Sequence, residues 1–338
     1  MDRMIFVEPG RLDWETVPMP LIEGAGEAII RPTVVGRCDL DTLYLSGRMP
    51  LATGEPIGHE LIGEIVDLGD DAAEAFSIGQ LVIVSAQISC GECRMCRRGQ
   101  SGRCERVPLG ASYGMGRPGN FGGAVSEFVR VPYARAMLVP MPSVENPFNL
   151  IGLADMATDA WRAVGPQLER CPQGSVLVVG GATPVIALYA VGLSKQLGAS
   201  RVVYVDANSR NRFVASEYGA DVHEHVEDVP DAAFDIVIDA ASDPEILLSA
   251  IRACGPGAQL TSVAPPVCVD NVPTMEMYYK GLTYTIGRPN CRHGHDPALH
   301  AWACKGFDPG LVGPKVFKFE DAIDAWMDGA LYVAATRD

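Results

Sequence analysis

Several things are missing from this sequence, and each absence removes a class of function. No uninterrupted apolar run approaches the roughly 18 residues a membrane-spanning helix needs, so no membrane partner is expected. Basic charge is scarce: 27 Lys and Arg stand against 42 Asp and Glu, a formal net charge of −15. Nucleic acids and anionic membrane surfaces demand basic patches, so neither is the expected partner. Residues 1–10 carry acids and a proline where an export signal has a basic start and an apolar core, and a cytoplasmic protein is expected. Internal repeats and low-complexity tracts are also lacking.

What remains is an ordinary globular composition of 338 residues, long enough for two cores. The first third carries short β-type runs at 27–31, 61–68, 81–85 and 124–131, broken by Gly, Pro and Asp, which predicts a β-rich domain. From about Leu150 the texture changes. Apolar runs at 176–179, 201–205, 234–238 and 259–263 suit strands buried on both faces. Helical stretches at 184–197, 209–218 and 244–253 separate them, each ending near a glycine: Gly198, Gly219 and Gly255. Strand and helix in alternation predict a doubly wound parallel sheet. After 282–286 the alternation fades into a histidine-bearing loop, with helices expected near 297–304 and 320–328. The fold class is therefore α/β, with the β-rich domain at 1–149 and 288–338 and the dinucleotide-type domain at 150–287.

Ten cysteines without an export signal point to metal more than to disulfides. Cys90-Gly91-Glu92-Cys93-Arg94-Met95-Cys96 is followed, after seven intervening residues, by Cys104. Four thiolates fill a tetrahedral Zn²⁺ and leave no place for substrate, so this site reads as structural. An iron–sulfur cluster uses similar spacing, but the Cys-Pro ending of the bacterial ferredoxin run is absent.

Elsewhere, Gly36-Arg37-Cys38-Asp39-Leu40-Asp41, Gly58-His59-Glu60-Leu61-Ile62-Gly63, the glycine-rich stretch from Gly122 and Gly123, and Ala154-Asp155-Met156-Ala157-Thr158-Asp159-Ala160-Trp161 run in order around the four-cysteine loop. Together they resemble the zinc-containing medium-chain dehydrogenase/reductase family, nearly end to end. The formaldehyde and threonine dehydrogenase-like groups and some bacterial secondary alcohol dehydrogenases are the most similar, because Asp155 stands where others have cysteine. The resemblance implies a GroES-like catalytic domain joined to a Rossmann domain, and a catalytic zinc held by Cys38, His59 and Asp155, two zinc ions per chain in all. It implies that Asp41 orients the ring of His59, with Glu60 beside the site. It also implies a homodimer or homotetramer acting on a small alcohol or carbonyl compound. The donor chemistry agrees: three protein ligands with an open position make a catalytic site, and a thiolate and a carboxylate balance the divalent charge. Two positions depart from the family. Leu40 replaces the Ser or Thr that passes the alcohol proton onward, and Asp159 replaces a Thr beside the nicotinamide. Thr42, Tyr44 or water is left to carry the proton. Ala86, four residues before Cys90, hints at a roomy substrate site.

After the run 176–179 comes Gly180-Gly181-Ala182-Thr183-Pro184-Val185, placed where a dinucleotide fingerprint belongs although its glycine pattern is imperfect. A pyrophosphate would lie on the following helix N-terminus, and Pro184 suits its first turn. Ala187 is the candidate for the small residue at the helix–strand contact. Nineteen residues further on, Asp206 is placed to accept ribose hydroxyls and repel a 2′-phosphate, which favours NAD; Arg210 and Arg212 soften that preference. His293, His295 and His300 read as a solvated loop. Cys171, Cys254, Cys268, Cys291 and Cys304 show no pairing pattern and are expected to be reduced thiols.

The expected reaction is hydride transfer between an alcohol, held as a zinc-bound alkoxide, and NAD. The alternatives are a formaldehyde-type dehydrogenase or dismutase with tightly held NAD, and a non-catalytic protein that binds zinc and NAD.

Overall fold

The computed structural model describes residues 1–116, 118–266 and 268–337. Two compact units emerge: Met1–Thr158 with Asn290–Asp296 and Gly313–Asp338, and Asp159–Pro289 with Pro297–Val312. The sequence reading keeps the whole tail with the first domain, whereas Pro297–Val312 packs in the second unit. There Phe307 meets Tyr189 edge-on at 5.8 Å, and the Tyr218 hydroxyl donates to the Asp308 carbonyl at 2.7 Å.

In the first unit a seven-stranded sheet runs in the order Lys315–Lys318, Val333–Thr336, Ala28–Gly36, Glu60–Leu68, Leu81–Val84 and Leu138–Pro140, with Val129–Val131 also paired to Ala28–Gly36. All pairings are antiparallel except that between the two C-terminal strands. Ala28–Gly36 is the hub. Its proline, Pro32, offers no N–H, and the ladder is irregular between Pro32 and Val34, where a missing donor costs least. The expected run at 124–131 shortens to Val129–Val131, because the backbone of Ala124 and Val125 is spent on Gly58 and Ile57.

That last contact shapes the site. Gly58 has φ +85°, and a Cβ on Gly114 (φ +54°) would lie 2.0 Å from the Gly58 carbonyl oxygen. Only glycine permits this approach, which locks the turn that leads into His59.

The second unit holds six parallel strands ordered Asp221–His223, Val202–Val205, Val176–Val179, Phe234–Asp239, Cys254–Ser262 and Thr283–Ile286. The chain leaves Val176–Val179 in one direction and returns on its other side at Phe234–Asp239, so a topological switch point lies between them. Helices Pro184–Gln196, Ser209–Glu217 and Pro244–Ala253 fall where the periodicity predicts. Gly198 and Gly219 follow their helices with positive φ; Gly255 instead lies inside the strand that starts at Cys254. No helix among the described residues is long and apolar enough to cross a membrane.

The tail differs most from expectation. Cys291–Lys305 is one helix with Pro297 inside it, and His295 is wholly buried, its Nε2 3.2 Å from the Ala154 carbonyl. Burial pushes its pKa down to about 4, so it is a neutral core residue and not part of a solvated loop.

Candidate functional site

Three segments of the first unit converge on one buried point. Cys38 follows the hub strand and caps helix Asp39–Leu45, its N–H donating to Oδ2 of Asp41 at 3.1 Å. His59 immediately precedes the strand Glu60–Leu68, and Asp155 ends the 3-10 segment Pro147–Ala154. Sγ of Cys38, a ring nitrogen of His59 and a carboxylate oxygen of Asp155 all lie within 4.8 Å of one another. Asp155 Oδ2 is 3.5 Å from Cys38 Sγ and 3.4 Å from His59 Nε2. Asp41 Oδ1 faces the other ring nitrogen at 3.8 Å. Glu60 stands beside them, accepting from the Met156 N–H at 3.2 Å and from the Tyr332 hydroxyl at 2.6 Å.

Two observations say what this cluster is suited to hold. Both ring nitrogens of His59 are buried without a hydrogen bond, an expensive arrangement unless something else ligates one of them. The charges conflict as well. Burial raises the Cys38 thiol, with Asp155 adding to it. Burial also pushes Asp41 up to about 6 against the pull of His59, and Glu60 up to about 8. Burial disfavours the His59 imidazolium, yet the carboxylates around it, Asp41 first, raise it to about 9. Several acids thus crowd one imidazole in a dry space. A divalent cation reverses that logic, holding the thiol as thiolate and the imidazole neutral. The donor set of one thiolate, one imidazole and one carboxylate oxygen suits zinc with a position left open.

The second cluster gathers Cys90, Cys93, Cys96 and Cys104, also within 4.8 Å. Backbone N–H groups point at the sulfurs: Glu92 and Cys93 to Cys90, Cys96 and Glu105 to Cys93, and Cys90 to Cys104, at 3.3–3.4 Å. Burial works against a Cys93 thiolate, but the donors from Glu105 and Cys96 outweigh it and lower the group to about 6. Such donors are how a protein stabilises four adjacent thiolates around a metal.

In the second unit, Gly180 follows Val176–Val179, and a Cβ there would sit 2.4 Å from Asp206 Oδ2; on Gly181 it would meet Ala241 at 2.6 Å. The turn is thus a cradle closed to side chains, located at the switch point. Ala182 and Thr183 donate their N–H groups to Ala241 and Ala240 at 3.2 and 3.1 Å. Pro184 opens the helix and Val185 lies buried in its first turn, so the small-residue role proposed for Ala187 falls on a helix buried almost all round. Asp206 is held by the Tyr204 hydroxyl at 2.6 Å and the Asn211 amide at 2.9 Å on Oδ2, and by the Asn208 N–H at 2.8 Å on Oδ1. Arg210 is exposed, while Arg212 donates to the Asp206 and Ala207 carbonyls.

Of the departures from the family pattern, Leu40 packs beside Ala86 and Met115, and Thr42 is exposed. The Tyr44 hydroxyl is 3.4 Å from the Met115 carbonyl. Asp159 is ion-paired with Arg162, whose Nη2 also donates to the Gly287 carbonyl at 2.8 Å. Sequence reasoning gave no site role to Cys291, named only as a reduced thiol, or to Tyr332, Tyr204 or Asn211. None has a motif spacing; each reaches its place only through the fold.

Residues 24–143 match the alcohol dehydrogenase GroES-like domain family. Over 240 residues the chain is 29% identical to a glutathione-independent formaldehyde dehydrogenase of Pseudomonas aeruginosa, an alignment covering 67% of this chain and 59% of that relative's length. It is 24% identical to zinc-type alcohol dehydrogenase B of Aspergillus flavus, over 96% of this chain and 78% of the relative. Among solved structures, alcohol dehydrogenase TADH from Thermus sp. ATN1 superposes with a TM-score of 0.87 at 26% identity, covering 99% of both chains.

Proposed function

We propose that the chain is a member of the zinc-containing medium-chain dehydrogenase/reductase family and, within it, an NAD-dependent zinc alcohol dehydrogenase. The observation that carries the reading is the buried trio Cys38, His59 and Asp155, brought together from three segments around a histidine whose ring nitrogens have no hydrogen bond. Bound there, zinc supplies the Lewis acidity that lowers the pKa of an alcohol hydroxyl. Asp41 faces the far side of the His59 ring and favours the tautomer whose Nε2 lone pair points inward. Glu60, anchored by Met156 and Tyr332, places a buried carboxyl group at the edge of the site. Leu40 and Ala86 pack with Met115 and Cys291, whose Sγ is 2.9 Å from Asp155, and so bring apolar surface near the centre. NAD held by the Gly180 turn and Asp206 would accept the hydride of the alcohol carbon while the hydroxyl proton is released, which would give aldehyde or ketone, NADH and H⁺.

A panel of primary, secondary and aromatic alcohols, assayed with NAD⁺ by absorbance of the reduced nicotinamide, tests this. Turnover of at least one class is expected; none with any alcohol, or with carbonyl compounds and NADH, sinks the reading. The match to a formaldehyde dehydrogenase favours a second reading, dehydrogenation or dismutation of a small aldehyde with NAD retained through purification. Formaldehyde turnover with cofactor already on the protein identifies that case.

Asp206 supports NAD over NADP, because its Oδ1 keeps a lone pair for a ribose hydroxyl and its charge opposes a 2′-phosphate. Asp206→Ala is expected to shift the NAD:NADP ratio of kcat/KM toward NADP by about tenfold, some 1.4 kcal/mol. An unchanged ratio removes Asp206 from that role. The edge strand Thr283–Ile286 with exposed Ile286, and the helix Thr274–Lys280 with exposed Met275, Tyr278 and Tyr279, support a homo-oligomer. Sedimentation velocity showing a monomer at micromolar concentration would refute it. Cysteine-rich metal sites with no disulfide among the described residues support a reducing, cytoplasmic setting.

A further inference from the structure

Cys291 opens the helix Cys291–Lys305, far in sequence from every metal-binding motif, yet its Sγ lies 2.9 Å from Oδ1 of Asp155. Both residues are buried. The thiol is held in place from two directions. Its backbone N–H donates to the Gln87 side-chain oxygen at 3.2 Å, and its side chain packs with Ala86 and Met115. The two oxygens of Asp155 therefore have different neighbours. Oδ2 faces Cys38 Sγ at 3.5 Å and His59 Nε2 at 3.4 Å. In a tetrahedron with metal–N and metal–O near 2.0 Å and metal–S near 2.3 Å, the corresponding edges are about 3.5 and 3.3 Å. Oδ2 thus has the spacing of a ligand, and Oδ1 has a thiol.

We propose that Cys291 is a positioning residue for the catalytic metal: its S–H donates to Oδ1 of Asp155 and leaves Oδ2 as the single carboxylate oxygen offered to the ion. The proposal rests on the metal centre proposed above. Its consequence is an open coordination position. A carboxylate free to rotate and chelate through both oxygens would occupy the place where substrate must bind. The thiol is a weak donor, so its effect is orientational and modest, and a hydroxyl at the same position can replace it.

The test uses full-length protein with cobalt(II) in both sites, reading visible absorption and metal affinity by chelator competition. Difference spectra against Cys38→Ala isolate the catalytic ion. Wild-type protein is expected to show four-coordinate cobalt with one thiolate. Cys291→Ala is expected to weaken catalytic-site affinity about tenfold, the low end for an outer-sphere partner, and to dim the visible bands as coordination number rises. Cys291→Ser is expected to restore both. Should the alanine variant not fold, Cys291→Val against Cys291→Ser reads the same contrast, since valine fills the volume without a donor. Wild-type spectrum and affinity in the donor-free variants would overturn the proposal. So would loss of a second thiolate-to-cobalt band, which would make Cys291 a ligand. If wild-type protein takes up one cobalt only, the metal-centre reading itself fails, a result distinct from either.

Discussion

Cys38→Ala is expected to leave the protein with one zinc per chain in place of two and to cut alcohol oxidation by about a thousandfold or more. Removing one of three ligands leaves an imidazole and a carboxylate, too few to hold a divalent ion against exchange with water. The lost Lewis acidity is worth several kcal/mol of transition-state stabilisation, and each 1.36 kcal/mol is a factor of ten in rate. The fold should survive, because Cys38 is a small buried side chain at a helix start, and its N–H bond to Asp41 belongs to the backbone. Elemental analysis and steady-state kinetics on the same sample check the claim. Two zinc ions retained in the variant would end the catalytic-site assignment, whatever the activity.

Cys96→Ser should have the complementary effect: one zinc lost, the catalytic ion kept, and the loop around it loosened. The reason is how little else holds that loop. Its helix Arg94–Arg97 buries no residue, and its ion pairs, Arg94–Glu105 and Arg106–Glu92, join largely exposed side chains worth a few tenths of a kcal/mol. Structural zinc contributes on the order of 10 kcal/mol in small peptides, comparable to the whole stability of a typical domain. Even about 3 kcal/mol recovered as lost stability would lower Tm by roughly 6–12 °C. Trypsin should then cut at Arg94, Arg97 or Arg98 in the variant while sparing the parent. Resistance equal to the parent, or two zinc ions still bound, would contradict a structural metal there.

The two variants also separate what the sequence makes legible from what it hides. The four-cysteine loop is local: its ligands are close along the chain, so spacing alone brings them to one cation. Helix Pro244–Ala253 was similarly legible, with proline at its first position and Asp243 accepting from the Glu245 and Ile246 N–H groups. The trio proposed for the catalytic zinc is not local. Cys38, His59 and Asp155 could be grouped only by resemblance to a family pattern, since neither residue type nor spacing says that these three segments meet. The tail departs from expectation at one residue for a related reason. His293 and His300 are exposed as their polarity suggests, but His295 is turned inward onto the Ala154 carbonyl by a helix that begins four residues earlier, and burial then keeps it neutral.

The sequence by itself determined the metal chemistry available, the strand–helix alternation of the second unit and the glycines that the Gly180 turn requires, because those follow from short-range spacing and backbone sterics. Only the tertiary structure decided that Cys291 meets Asp155, that Tyr332 holds Glu60, and that Tyr204 and Asn211 clamp Asp206. The first two contacts join residues 136 and 272 positions apart. No periodicity spans such distances: burial of two cores brings these groups together, and each must then satisfy its polar atoms with whatever the fold has placed within reach.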